Sequence, residues 1–69
     1  MNQREYLVKI GMEFKVARIR KGMSRTQIGK ITGLSRESIG MLENGKKDSH
    51  ILTYKLIADA IGVELKELL

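Results

Sequence analysis

Basic side chains carry the clearest chemistry in this chain, and they are concentrated in one part of it. Residues 1–47 contain 11 lysines and arginines against 4 acids, whereas residues 48–69 contain 2 and 4. A local excess of positive charge attracts a polyanion, and nucleic acid is the first candidate. The mildly acidic end is expected to make a different contact. Unpaired bases stack on aromatic side chains, yet the chain has one Phe, two Tyr and no Trp. The composition therefore favours a duplex over a single strand.

The same composition argues against other classes of function. The chain lacks cysteine, so disulfides and thiolate metal sites are excluded, and its one histidine, His50, has no partners for a zinc site. We find no nucleophile–base pair, metal-ligand cluster or phosphate-binding glycine loop. No apolar run approaches the roughly 20 residues of a membrane span, and the N-terminus lacks the apolar stretch of a signal peptide. We expect a single domain, residues 1–69, that is cytoplasmic, not an enzyme, and free of metal and cofactor.

Glycines and serines mark the ends of the elements that must position the basic residues. Four glycines each follow an apolar-periodic segment, where a helix ending in the left-handed conformation needs glycine: Gly22, Gly33, Gly45 and Gly62. Ser24 with Gln27 predicts a capping box, and Ser35 predicts another N-cap. With no proline and no strand alternation, the sequence predicts an all-α bundle of five helices, at about 4–21, 25–32, 36–44, 51–61 and 64–69.

Helical spacing also predicts which side chains face the core. The inward stripe of the first helix is expected to contain Leu7, Ile10, Phe14 and Ala17. The inward stripe of the fourth helix is expected to contain Ile51, Tyr54, Ile57 and Ile61.

The second and third helices have the spacing of a helix-turn-helix. That motif needs a small residue where the helices approach, glycine in the turn, and branched apolar residues that face the core. Gly29 is the small residue, and Gly33 lies in the turn. The apolar side chains expected to pack between the two helices are Ile28, Ile31, Leu34, Ile39 and Leu42. An ordinary helical hairpin is the alternative, but charge, cap spacing and glycine placement together favour DNA binding.

At this point the chain resembles the lambda-repressor-like, Cro/XRE family of DNA-binding domains, through the stretch GMSRTQIGKITGLSRESIGMLENGKK…LIADAIGVELKELL. The resemblance extends from about Ile10 to Leu69 and includes Arg18 near the end of the first helix. It implies five helices and a dimer on a two-fold operator, with the third helix in the major groove. The chain departs from the family pattern at three positions: Arg25 for the usual glutamine, Gly29 for alanine, and Ser49 near the usual proline.

The resemblance implies that the start of the third helix, and one residue a turn later, meet base edges: Ser35, Arg36, Glu37 and Met41. Arg36 can form two hydrogen bonds with guanine, and Glu37 can accept one from cytosine or complement the helix N-terminus instead. Met41 either contacts a thymine methyl or sugar or is simply exposed. Gly40 beside it either lets the backbone approach DNA or is a tolerated helix defect.

Phosphate contacts are expected from helix termini and from the basic loop beside the third helix. The residues in these places are Arg25, Ser35, Asn44, Lys46 and Lys47. The alternative for Lys46 and Lys47 is that they lie in a solvated loop and contact no phosphate. The resemblance further implies an ion pair between Arg18 and Glu43 that orients the third helix, with a phosphate as a further partner of Arg18.

Two apolar lines fall outside the core stripes. Leu52 and Leu56 lie one turn apart on the fourth helix, and Met12, Val16 and Ile19 form a second line on the first. Exposed apolar stripes on a small basic domain indicate an association surface. We expect a homodimer joined through Leu52, Leu56 and the C-terminal end. The alternative is that the N-terminal extension or the last helix covers them.

The predicted function is a sequence-specific regulator, a homodimeric repressor on a short double-stranded DNA operator. Phage Cro-like repressors, restriction–modification controllers and mobile-element regulators all fit a chain of this size. A protein-interaction module is the alternative from another class, since antitoxins share this fold and bind a toxin protein through exposed apolar surface.

Overall fold

The computed structural model describes all 69 residues and contains five helices. They are α1 (Gln3–Arg20), α2 (Arg25–Thr32), α3 (Arg36–Glu43), α4 (Ile51–Ile61) and α5 (Leu65–Leu68). The prediction of a five-helix, all-α fold is confirmed. The predicted limits of α2 and α4 agree with the structure. Those of α3 differ by one residue at its C-terminal end, and those of α1 and α5 differ by one residue at both ends. None of the helices has both the length and the apolar character needed to cross a bilayer.

Local hydrogen bonds explain where the helices begin and end. Ser24 Oγ accepts a bond from the Gln27 backbone N–H at 3.0 Å, and the Ser24 N–H donates to Gln27 Oε1 at 2.7 Å, so the capping box is complete. Ser35 Oγ accepts from the Ser38 N–H at 3.0 Å. His50 is the N-cap of α4 but makes no side-chain cap bond. The glycines predicted at helix ends have positive φ angles: Gly22, Gly33, Gly45 and Gly62.

Side chains from all five helices form a single core. Its buried apolar side chains are Phe14, Ile28, Ile39, Leu42, Tyr54, Ile57, Ala58, Ile61 and Leu68. The Phe14 and Tyr54 rings lie 5.3 Å apart. Burial raises the pKa of the Tyr54 hydroxyl above its ordinary value, the charge of Asp48 adds to the shift, and a backbone hydrogen bond at Ser49 opposes it.

Two expectations about the core are wrong. Ile51 is 57% exposed, because it is the first residue of α4 and lies at the edge of the bundle, so the inward stripe begins at Tyr54. Ile31 is 61% exposed. The helix α2 is two turns long and buries Ile28, while Thr32 turns its hydroxyl back to the Ile28 carbonyl at 2.9 Å. Ile31 therefore lies on the outer face of α2.

The backbones of α1 and α3 lie so close together that position 11 must be glycine. A Cβ on Gly11 would overlap the backbone carbonyl oxygens of Leu42 and Glu43. Farther along the same contact, a Cβ on Gly45 would lie 2.6 Å from the Val8 Cα. The long helix α1 therefore lies directly on the C-terminal end of α3 and fixes its direction.

Gly29 has the role expected of the small residue in a helix-turn-helix. A Cβ at this position would lie 2.7 Å from the Leu34 carbonyl oxygen and 3.8 Å from Ile39 Cδ1. Any side chain would therefore push α2 away from the turn that leads into α3.

Candidate nucleic-acid interface

One face of α3 packs in the core and the opposite face meets solvent. Ile39, Leu42 and Glu43 are buried, whereas Arg36 and Glu37 are exposed and Met41 is 45% exposed. The buried side chains fix α3 against the rest of the protein. The three exposed side chains are therefore presented together on a firmly packed helix.

A shallow depression runs beside this exposed face, and we call it the α3 hollow. It is lined by Arg25, Ser35, Arg36, Glu37, Gly40, Met41, Asn44 and Lys46. The structure thus brings together every residue predicted to contact bases and every predicted phosphate ligand except Lys47. Sequence positions between 25 and 46 converge here because the turn at Gly33 folds the start of α2 back beside α3.

Lys47 lies on the other side of α3. It lines a separate cleft between α3 and the start of α4, next to Asp48, together with Leu34, Ser38 and Thr53. Lys46 and Lys47 therefore line different depressions beside α3, although they are adjacent in sequence.

The N-terminus of α3 offers free backbone donors. Ser35 Oγ is occupied within the chain, since it accepts from the Ser38 N–H and donates to Ser38 Oγ at 2.9 Å. The Arg36 and Glu37 backbone N–H groups precede the first hydrogen-bonded turn and have no partner in the chain. Such amides at a helix N-terminus bind anions well.

Glu43 ties α3 to α1 through Arg18. Arg18 Nε donates to Glu43 Oε2 at 2.7 Å, and Arg18 Nη2 donates to Glu43 Oε1 at 3.1 Å. The third guanidinium nitrogen donates to the Met23 carbonyl at 2.8 Å. The two side chains are only 11% and 2% exposed. Each guanidinium nitrogen of Arg18 therefore has a partner inside the protein, and Arg18 does not line the α3 hollow.

Arg25 is a second partner of the same carboxylate. Its Nε donates to Glu43 Oε1 at 3.0 Å, and its side chain is 29% exposed. Sequence reasoning treated Arg25 as a free phosphate ligand and missed this contact. The sequence does show an arginine in place of the usual glutamine at the start of α2. No local sequence pattern, however, connects that arginine with a glutamate 18 residues later.

The sequence profile of the helix-turn-helix family matches residues 14–68, which include all of α2, α3 and α4. The chain belongs to the Cro/XRE-type helix-turn-helix family of DNA-binding transcription regulators. In this regulator α2 and α3 are the two helices of the motif.

Two solved structures resemble the regulator over most of its length. The restriction-modification controller protein C.AhdI from Aeromonas hydrophila is 29% identical, with a TM-score of 0.90 over 94% of this chain and 98% of that one. The controller protein C.Esp1396I, solved as a tetramer in complex with its natural 35 base-pair operator, is 24% identical, with a TM-score of 0.81 over 90% of this chain and 82% of that one. No curated protein sequence matches significantly.

The helix-turn-helix regulator also carries uncovered apolar side chains away from the α3 hollow. On α4, Leu52 is 73% exposed and Leu56 is 49% exposed, so neither the N-terminal part of α1 nor α5 covers them. On α1, Met12 and Ile19 are also exposed, whereas Val16 is half-buried.

Proposed function

We propose that the regulator binds a two-fold, double-stranded DNA operator as a homodimer, with α3 of each protomer in the major groove, and that it represses transcription. The α3 hollow carries this proposal. It unites side chains able to read bases with groups able to bind phosphate on one surface, and it lies on the recognition helix of a DNA-binding family.

Base reading is assigned to the exposed face of α3. Arg36 can donate two hydrogen bonds to guanine O6 and N7, and Glu37 can accept one from a cytosine amine. Met41, one turn later, can contact a thymine methyl. Ser35, at the entry of the helix, completes the set of base-contacting residues.

Phosphate binding is assigned to both edges of α3, because a helix in the major groove has a phosphate backbone along each side. On one edge lie the free amides of Arg36 and Glu37, together with Asn44 and Lys46. On the other edge lies Lys47. The two lysines would thus contact opposite strands.

A homodimer is proposed because one recognition helix contacts too few base pairs to specify an operator. An eight-residue α3 reads a few base pairs, whereas two copies can read half-sites about 34 Å apart. The structurally similar C.Esp1396I was solved as a tetramer on its operator, which supports binding by more than one copy. Repression is the simplest outcome, since a dimer that covers promoter DNA blocks other proteins from it.

Substitution of Arg36 tests base reading. After selection of a preferred duplex from a random-sequence library, Arg36→Ala should cost about 1–3 kcal/mol of binding free energy on that duplex and relax the preference at one base pair. On a shuffled duplex of equal length and composition the loss should be much smaller. Fluorescence anisotropy titrations measure both. Lys66→Ala, which removes an exposed charge on α5, is the matched control and should leave the ratio of the two affinities unchanged. Equal losses on both duplexes for Arg36→Ala would refute base reading.

Salt dependence tests the phosphate ligands. Lys46→Ala and Lys47→Ala should each weaken binding to the selected and shuffled duplexes alike, and each should reduce the slope of log affinity against log salt concentration by about 1. The reason is that each lysine that neutralises a phosphate releases a counterion. A slope that stays the same for one of the variants removes that lysine from the interface.

A further inference from the structure

Arg25 is held in one place within the α3 hollow. Its Nε donates to the Glu43 carboxylate at 3.0 Å, and Glu43 itself is 2% exposed and cannot follow a moving partner. The two Nη groups of Arg25 make no hydrogen bond within the protein. One end of the guanidinium is thus fixed while its other donors stay free.

Gly40 provides the space in which this guanidinium lies. A Cβ on Gly40 would be 3.2 Å from Arg25 Nη1, closer than side chains ordinarily pack. The next two nearest atoms would also belong to Arg25, Cζ at 3.5 Å and Nε at 3.8 Å. The absence of a side chain at position 40 therefore leaves room for the Arg25 guanidinium.

Arg18, Arg25 and Glu43 form a cluster with one more positive than negative charge. The excess positive charge is exposed at Arg25. Glu43 accepts two hydrogen bonds from Arg18, which is buried and has all three nitrogens engaged. Two guanidinium groups and one carboxylate carry a net charge of +1. Because Arg18 turns away from solvent, that positive charge is presented through Arg25 in the α3 hollow.

We propose that Gly40 and Glu43 form a seat for Arg25 that aims its two Nη groups at a single DNA phosphate beside Arg36. Gly40 and Glu43 are then positioning residues, and Arg25 is the group that touches DNA. A guanidinium suits this role because its planar fork can bond a carboxylate through Nε and a phosphate through its Nη groups at the same time. The inference rests on the proposed function, since it names how one phosphate of the duplex is held.

A double-mutant cycle tests the seat through DNA binding. Gly40→Ala should weaken binding to the selected and shuffled duplexes alike by about tenfold, the effect of losing a charged hydrogen bond. In an Arg25→Ala background the same substitution should change affinity by less than about twofold. Because alanine favours a helix more than glycine does, the variant should remain folded, which a circular dichroism melt checks. No loss in Gly40→Ala, or the same loss in both backgrounds, would overturn the proposal.

NMR spectroscopy tests the seat in the free protein, without DNA. The Nε–H signal of Arg25, assigned by its absence in Arg25→Ala, should exchange slowly with solvent because Glu43 accepts its proton. In Gly40→Ala this signal should shift and exchange faster, whereas in Lys66→Ala it should be unchanged. An unchanged signal in Gly40→Ala would refute the seat even if the regulator binds DNA as proposed. Failure of the unaltered protein to bind any duplex would instead refute the proposed function and the phosphate contact of Arg25.

Discussion

Replacement of Glu43 by alanine should lower the free energy of unfolding by about 3–5 kcal/mol, the usual cost of removing one partner of a buried ion pair. Glu43 is 2% exposed and bonds both Arg18 and Arg25. Without the carboxylate, Arg18 stays 11% exposed with an uncompensated charge, and α3 loses its side-chain link to α1. Since small domains are stable by only about 5–15 kcal/mol, this loss is a large part of the total. DNA affinity should fall with it, because the same link orients the recognition helix.

Chemical denaturation followed by circular dichroism measures this loss. The double variant Arg18→Ala, Glu43→Ala should be less destabilised than the sum of the single variants, because the second substitution removes the charge left unpaired by the first. Asp59→Ala is the matched control: it breaks the Lys55–Asp59 pair on α4, which is exposed, and should cost less than about 0.5 kcal/mol. Strict additivity of Arg18→Ala and Glu43→Ala would show that the pair is not coupled.

Introduction of aspartate at both Leu52 and Leu56 should convert the regulator into folded monomers that no longer bind the operator cooperatively. Both leucines are exposed on α4, and a carboxylate buried in an apolar contact between two copies costs far more than it does in water. Each monomer would then hold a single half-site and lose the gain in affinity that comes from linking two.

Sedimentation equilibrium gives the mass, and titration of a two-half-site duplex gives the cooperativity. The control is the pair Met12→Asp, Ile19→Asp on α1, which introduces the same charges on another exposed apolar surface and should leave the mass unchanged. A mass unaltered by the Leu52 and Leu56 substitutions would refute this interface. A mass reduced only by the control pair would place the interface on α1.

The local sequence pattern was sufficient to predict the helices and the protein family. Ser24, Ser35 and the glycines at helix ends act through residues within four positions of themselves, so α2 and α4 could be placed correctly without knowledge of the rest of the chain. The helix-turn-helix was predictable for the same reason, since Gly29 and the turn at Gly33 are neighbours in sequence. Among the residues that line the α3 hollow, the base-contacting ones were predicted through the resemblance to the family, and the phosphate ligands from their places at helix termini and in the basic loop.

Contacts between distant segments were decided only by tertiary packing. The Arg25–Glu43 bond and the place of Gly40 beneath Arg25 depend on the angle between α2 and α3. The need for glycine at position 11 depends on how closely α1 crosses the end of α3. The separation of Lys46 from Lys47 across α3 depends on the path of the chain into α4. Periodicity identifies the apolar side of a helix but contains no information about which neighbour covers it, and a short helix at the edge of a bundle can leave part of that side in solvent.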